Sequence, residues 1–387
     1  MKKENKELAK KKKAAQRKRT RAAKTIKTIC WIAIPCLVVA AIVGLIVYGE
    51  LRTKADYSAG LTEEGYIEGV TATEYVQLGD YNALSVKKNE LISEQMVQEE
   101  IDEYLASKAT LNESSTKVTA SGDKVSIDFV GKVDGETFDN GTSTGYVVTI
   151  GEGTMIDDFE EQLIGHRVGD NFTVEVTFPE NYEQNQKLSG KDAEFEVTLK
   201  GIYEAPELTD AYVEENLSEY ASTAEEYRTY VEAQLYEENL LTFVQEQVVS
   251  SSKISELPQK YAKKLRHIYR AGYEMEYNYY NKLYYSYVGY YMWDNVYDYY
   301  GMTKDEFQEK LEAAVQDSAE FYLVMQAVFE QENMSISEEE VNAYILSSGY
   351  TESELEEAVE EFGMSYWRQN TMADKALRYL AEKVTVL

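Results

Sequence analysis

Between residues 124 and 203, apolar and polar side chains alternate with a period of two in four runs. Val125, Ile127 and Phe129 form the first, and Tyr146, Val148 and Ile150 the second. Phe172, Val174, Val176 and Phe178 make the third, and Ala193, Phe195, Val197 and Leu199 the fourth. Their neighbours Ser126, Asp128, Thr173, Glu175, Thr177, Glu194, Glu196 and Thr198 are polar. Successive side chains on a strand point to opposite faces, so the pattern predicts a curved antiparallel sheet with one wet face. Gly131, Gly135, Gly141, Gly145, Gly151, Gly153, Gly165 and Gly169 punctuate it as turn residues do. One short helical segment is expected from about Asp157, with Phe159 and Leu163 on one face and a stop at Gly165. A sheet wrapped on one helix encloses a small, aromatic-lined space.

Beyond Ala205-Pro206 the pattern becomes helical. Capping boxes are expected at Ser222 with Glu225, Thr303 with Glu306, Ser337 with Glu340 and Thr351 with Glu354, and stops at Gly301, Gly349 and Gly363. This predicts six or more helices and no strand. Upstream, residues 49–74 read as a polar stalk, 75–86 as a short strand, and Ser93 as the start of a helix through about Ser107. Thirteen of the 33 tyrosines fall between 269 and 300. Tyr269, Tyr273, Tyr277, Tyr280, Tyr284, Tyr287 and Tyr291 recur every three or four residues, one stripe on a continuous helix. Such a stripe is either core or a water-tolerant surface that holds unfolded client segments, because each buried phenol needs a hydrogen-bond partner.

Charge changes the picture at the N-terminus. Residues 1–27 hold 13 Lys/Arg against Glu4 and Glu7, whereas the whole chain carries a net charge of -30. The rest is therefore strongly acidic. Residues 28–48 contain no charge, and at ~1.5 Å per residue they span about 31 Å, the thickness of a hydrocarbon core. The expectation is a single transmembrane helix with its basic tail in the cytoplasm and the bulk of the chain extracytoplasmic, anchored in the cell membrane. The tail reads as a topology signal, so no nucleic-acid partner is expected.

Cys30 and Cys36, the only cysteines, fall in that segment, so no disulfide or thiol chemistry is expected elsewhere. His166 and His267, the only histidines, stand far apart without zinc-ligand spacing. No phosphate loop or dinucleotide fingerprint occurs, and no cofactor or metal is expected.

The order F-x-G-x-V-D-G-x-x-F-D, I-G-x-G-x-M-I-x-x-F-E-x-x-L-I-G, V-x-F-P-E-x-Y and F-x-V-x-L resembles an FKBP-type peptidyl-prolyl isomerase domain of the trigger factor branch. The likeness covers about eighty residues. PELTDAYVEENL, SSKISELPQKYAKKL, GMTKDEF and ADKALRYLAEKV are similar to that branch's C-terminal chaperone domain. The resemblance implies a pocket walled by Phe129, Phe138, Tyr146, Phe159 and Phe195, with Met155 and Ile156 at its rim. The Ile156 N–H is implied to bond the client, Asp139 to be the pocket acid, and Tyr182 to be a further wall. Phe159 stands where many FKBPs have tryptophan, and Asp157-Asp158 replaces a frequent Pro-Gly. Most of the branch's ribosome-binding domain is missing, so ribosome docking is not expected.

The expected fold class is thus α+β. Residues 1–27 form a cytoplasmic tail, 28–48 a transmembrane helix, 49–115 stalk, strand and linker helix, 116–204 an FKBP-like domain and 205–387 an all-α chaperone-like domain. The expected function is a membrane-anchored isomerase and chaperone for secreted polypeptides bearing X-Pro bonds. The alternative is a non-enzymatic tethered chaperone or scaffold whose FKBP-like domain only binds.

Overall fold

The computed structural model describes residues 56–182, 185–288 and 290–387, and the side chains of Tyr287 and Val288 lie outside that description. The chain divides into two compact units, Ile92–Leu235 and the residues through Leu91 taken with Tyr236–Leu387.

In the Ile92–Leu235 unit, helix α1 (Glu94–Ser107) starts at Ser93, whose hydroxyl accepts from the Met96 N–H, and it buries Val97, Ile101 and Leu105. A five-stranded sheet follows: β1 (Thr110–Asn112), β2 (Lys124–Val133), β3 (Glu136–Thr149), β4 (Asn171–Thr177) and β5 (Asp192–Glu204). The order is β1-β5-β2-β3, with β4 also paired to β5, and every pairing is antiparallel. β2 and β3 join through Asp134 and Gly135, both at positive φ (54° and 81°), as a right-twisted two-residue hairpin requires. The alternating apolar set closes one core: Val125, Ile127, Phe129, Val148, Ile150, Val174, Val176, Phe178, Phe195, Val197 and Leu199 are all buried. Ser126, expected on the wet face, is buried as well.

The helical segment under this sheet is shorter than the sequence suggests. It is a 3-10 turn, Glu160–Leu163, rather than a helix from Asp157. The cause is Asp158, whose φ of 68° is left-handed and incompatible with a right-handed helix at that residue. Asp158→Gly is accordingly expected to stabilise this unit. The left-handed conformation costs an L-residue about 1–2 kcal/mol, partly offset by the greater freedom of glycine in the unfolded chain. The net gain should be about 0.5 kcal/mol, read as a higher urea midpoint with unchanged slope; a lower midpoint contradicts the strain assigned to Asp158.

The second unit is mainly helical, but the expectation of no strand beyond residue 205 is corrected by two-residue strands at Lys253–Ile254 and Thr385–Val386. Its main elements are α2 (Ala224–Ser251), which begins in the first unit, α3 (Gln259–Val288), α4 (Lys304–Gln331), α5 (Glu338–Ser347), α6 (Leu355–Phe362) and α7 (Met364–Ala381). Capping boxes stand at Thr303/Glu306, Ser337/Glu340 and Thr351/Glu354. For α2 the box is displaced by one residue: Thr223 accepts from the Glu226 N–H, and the Glu226 carboxylate accepts from the Ser222 N–H. The expected strand at 75–86 is two separate two-residue strands, Val76–Gln77 paired with Lys253–Ile254 and Ser85–Val86 paired with Thr385–Val386. Residues 67–72, part of the expected polar stalk, are packed into this unit. Ile67 and Ala72 are buried, the Ile67 N–H donates to Gln326 Oε1 at 2.9 Å, and the Ala72 N–H donates to Glu330.

The expected membrane span at 28–48 lies outside the described residues. Among the described residues no helix is long and apolar enough to cross a membrane. Each of the long helices carries charge along its length, as Arg266, Arg270, Glu274, Glu276 and Lys282 do on α3. The expected fold class is corrected to what the described residues show, a sheet unit plus a helical unit with no membrane-crossing helix among them.

Candidate functional site

The sheet brings six aromatic rings into one edge-to-face network. β2 and β5 run antiparallel with Phe129 opposite Val197 and Gly131 opposite Phe195. Phe129 lies 5.6 Å from Tyr146, 6.1 Å from Phe159 and 5.8 Å from Phe195, centroid to centroid. Phe195 is 5.2 Å from Phe159 and 6.0 Å from Phe138, and Phe138 is 5.7 Å from Phe178. Interplanar angles of 70° to 88° place ring edges on ring faces, the arrangement favoured by the aromatic quadrupole. Tyr182 extends the chain, tilted against Phe178 at 5.0 Å.

Exposure runs in a gradient through this network. Phe159 is fully buried and Phe129 and Phe195 nearly so, whereas Phe138, Met155, Ile156 and Tyr182 are half-buried and Tyr146 is 39% exposed. Buried rings thus form a floor and half-exposed groups a rim. Asp139 is exposed and has no hydrogen bond or ion pair to a described residue. The Ile156 N–H likewise donates to no described group, while its carbonyl accepts from the Phe159 N–H.

Two glycines make room for the rings. A Cβ on Gly131 would stand 2.6 Å from Phe195 Cε1 and 3.0 Å from Phe138 Cζ, and one on Gly141 would stand 2.8 Å from Phe138 Cε2. Gly131→Ala is expected to leave the fold intact and displace both rings. In the prolyl isomerisation that the sequence resemblance implies, such misplacement costs on the order of tenfold to a hundredfold in turnover, measured beside an unchanged far-ultraviolet spectrum; wild-type turnover contradicts this role for the bare backbone.

The strongest electrostatic feature lies beside the rings. Glu160, only 5% exposed, follows Phe159 in sequence. Its Oε2 accepts from the Gly151 and Gly153 N–H groups at 2.9 and 2.8 Å. Its Oε1 accepts from the Thr154 N–H (2.7 Å), the Thr154 hydroxyl (3.0 Å) and the Met155 N–H (2.9 Å). Burial works against the charged form, but the bonds from Met155, Gly153 and Thr154 together hold the carboxyl below its ordinary pKa. Among the described residues no group of three or more His, Cys, Asp or Glu is placed to hold a metal.

Sequence reasoning missed Phe178, Leu188 and Glu160 as members of this region. Phe178 continues the period-two run one residue beyond the end of β4 at Thr177, just before Pro179. Leu188, buried against the same core from the loop after Pro179, has no periodicity to betray it. Glu160 is marked only by its place after Phe159.

The tyrosine stripe lies in the helical unit and differs along its length. The Tyr269 hydroxyl pairs with Ser318, and Tyr273 packs edge-on against Tyr300 and Phe307. The Tyr277 hydroxyl donates to the Trp293 carbonyl at 3.4 Å, and Tyr280 stacks on Tyr299 at 5.9 Å yet stays 45% exposed. Tyr284 sits between Tyr290 and Trp293. The Tyr287 side chain is outside the described residues. Tyr291 lies beyond the end of α3, so the expected single stripe stops at Val288 and Tyr291 is carried by a loop. That loop is fastened by buried Asn281, whose Oδ1 accepts from the Met292 and Trp293 N–H groups and whose Nδ2 donates to the Trp293 carbonyl. Around the fastening Leu283, Tyr285, Tyr290, Tyr291 and Met292 are exposed.

Residues 115–200 match the family described as FKBP-type peptidyl-prolyl cis-trans isomerase. Residues 291–382 match the family of the bacterial trigger factor C-terminus. A trigger factor of Clostridium botulinum is 44% identical over 163 residues, 41% of this chain and 38% of that relative. One of Bacillus mycoides is 31% identical over 313 residues, 76% of this chain and 67% of the relative, and one of Caldicellulosiruptor saccharolyticus is 29% identical over 324 residues, 80% and 71%. The chain therefore spans well under half of the first of these relatives. It carries an FKBP-type isomerase domain and a trigger factor C-terminal domain. The relatives are trigger factors by name, and against them the expected single-pass extracytoplasmic location is corrected. The expectation that ribosome docking is absent gains no support from these relatives.

Proposed function

The chain belongs to the trigger factor family, and on that footing we propose that it assists protein folding by isomerising X-Pro bonds and by holding unfolded segments. The isomerase domain is placed at 116–204, and the segment-holding surface in the helical region 205–387. The observation that carries the first activity is the edge-to-face set of Phe129, Phe159 and Phe195 opening onto Phe138, Tyr146, Met155 and Ile156.

An X-Pro bond turns over a barrier of ~18–20 kcal/mol set by amide resonance. No nucleophile or proton transfer is required. A site accelerates the turn by binding the twisted amide, with its pyramidal nitrogen and less polar carbonyl, better than the planar one. The rings grip the pyrrolidine and withdraw water from the carbonyl, while the free Ile156 N–H holds the client's backbone. Asp139 borders the exposed side, where the rotating carbonyl passes. Phe129, Phe159 and Phe195 are the floor, Phe138, Tyr146 and Tyr182 the walls.

For the second activity, the exposed Tyr280, Tyr285, Tyr290, Tyr291 and Met292 offer an apolar but hydrogen-bonding surface to unfolded chain. The double variant Tyr291→Ser, Met292→Ser is expected to weaken retention of an unfolded protein by about fivefold to tenfold without changing helix content. Equal retention in an aggregation assay contradicts this use of the surface. The proposal as a whole is tested on refolding of a protein whose slow phase is prolyl isomerisation. Catalytic amounts of the chain should speed that phase, and an unaltered slow phase overturns the isomerase half.

A further inference from the structure

The rim of the aromatic site is a loop with little packing of its own. Gly151, Glu152, Gly153 and Thr154 are all exposed, and Gly151 and Gly153 sit at φ of 95° and 70°. Left-handed glycines turn their N–H groups inward, and here the turn aims four of the five backbone donors of residues 151–155 at one carboxylate. Gly151, Gly153, Thr154 and Met155 each give an N–H to Glu160, and Thr154 adds its hydroxyl. Two oxygens with about four lone-pair sites accept five bonds, so the three donors on Oε1 share its lone pairs. Phe159 fills the floor from one residue away, and Ile156 follows directly after the clamped segment.

We propose that Glu160 is a positioning residue for the isomerase, setting the Ile156 N–H at the angle that bonds the client's backbone. The inference rests on the isomerase reading above. A carboxylate is needed because a carboxamide has only one accepting oxygen. Glu160→Gln keeps the volume but turns an NH2 toward amide donors, so at least two clamp bonds are lost and the loop opens on that side. The client bond at Ile156 is made to planar and twisted amides alike. Its loss is a loss of uniform binding, which raises KM and leaves kcat unchanged.

The test is steady-state isomerisation of an X-Pro peptide by the full chain as wild type, Glu160→Gln and, as control, the exposed neighbour Glu161→Gln. The expected result is a KM about tenfold higher in Glu160→Gln with kcat within twofold, and wild-type constants in Glu161→Gln. A purely structural role gives the opposite split, since partial unfolding lowers apparent kcat and leaves KM alone; that outcome overturns the proposal, as do unchanged constants. Amide exchange supplies a second readout: Met155 and Ile156 should exchange faster in Glu160→Gln while core amides of β2 do not, and equal protection overturns the clamp. A wild-type chain that isomerises nothing defeats the underlying reading instead, and the exchange comparison still judges the clamp.

Discussion

Phe195→Ala is expected to remove prolyl isomerisation and to cost about 3–5 kcal/mol of stability in the sheet unit. The ring is nearly buried, meets Phe129, Phe138 and Phe159, and lies against the bare backbone of Gly131. No neighbour can fill the void, because Gly131 has no side chain and Phe159 is already fixed in the floor. Phe195→Leu separates the two losses. It retains most of the apolar volume, so the unit should stay folded at about 1 kcal/mol of cost, while the flat edge that meets the proline ring disappears. Turnover should then fall by at least about tenfold in a folded protein. Wild-type turnover in Phe195→Leu would sever the ring from the chemistry.

Raising the pH is expected to unfold the helical unit cooperatively between about pH 10 and 12. Burial pushes the phenols of Tyr261, Tyr269, Tyr322 and Tyr366 well up, and Tyr81 is raised to about 12 by burial and by Glu332. Tyr261 donates to Gln369 and Tyr322 to Asn370, bonds that need the proton. In the unfolded chain a tyrosine ionises near ~10. Each folded-state value lies above the unfolded one, so the stabilisation is complete below the unfolded value and is lost as pH rises from there through the folded-state values. The loss is about 1.4 kcal/mol per phenol and pH unit, on the order of 5 kcal/mol per unit for Tyr261, Tyr269, Tyr322 and Tyr366 together. That rivals the whole stability of a typical domain, ~5–15 kcal/mol. Tyrosinate absorbance and helical ellipticity should therefore change together in one steep step. A broad tyrosinate titration centred near 10 with the helices intact would contradict it.

The sheet was legible because its rule is local. Period-two alternation set the inward faces of all four runs, and Phe129, Phe159 and Phe195 came together because that rule and the turn glycines leave them nowhere else to go. Capping boxes at Thr303, Ser337 and Thr351 were equally readable, since each is complete within four residues. What stayed hidden depends on distance or on backbone state. Ile67 and Ala72 find their partners Gln326 and Glu330 more than 250 residues away, so their segment reads as a stalk. Asp158 shortens its helix through a left-handed φ that no composition announces, and Glu160 acts through four amides rather than through an ionic partner. The tyrosine stripe was a true helical period up to Val288, and its continuation to Tyr291 was spacing without a helix to carry it.

The most direct measurement is the cis–trans exchange rate of a short X-Pro peptide, followed by exchange-resolved nuclear magnetic resonance, with the chain present far below the peptide concentration. Exchange should be faster with the wild-type chain, and that acceleration should be lost in folded Phe195→Leu. Exchange at the uncatalysed rate while the peptide demonstrably binds the wild-type chain would contradict this, leaving the ring cluster a binding surface without turnover.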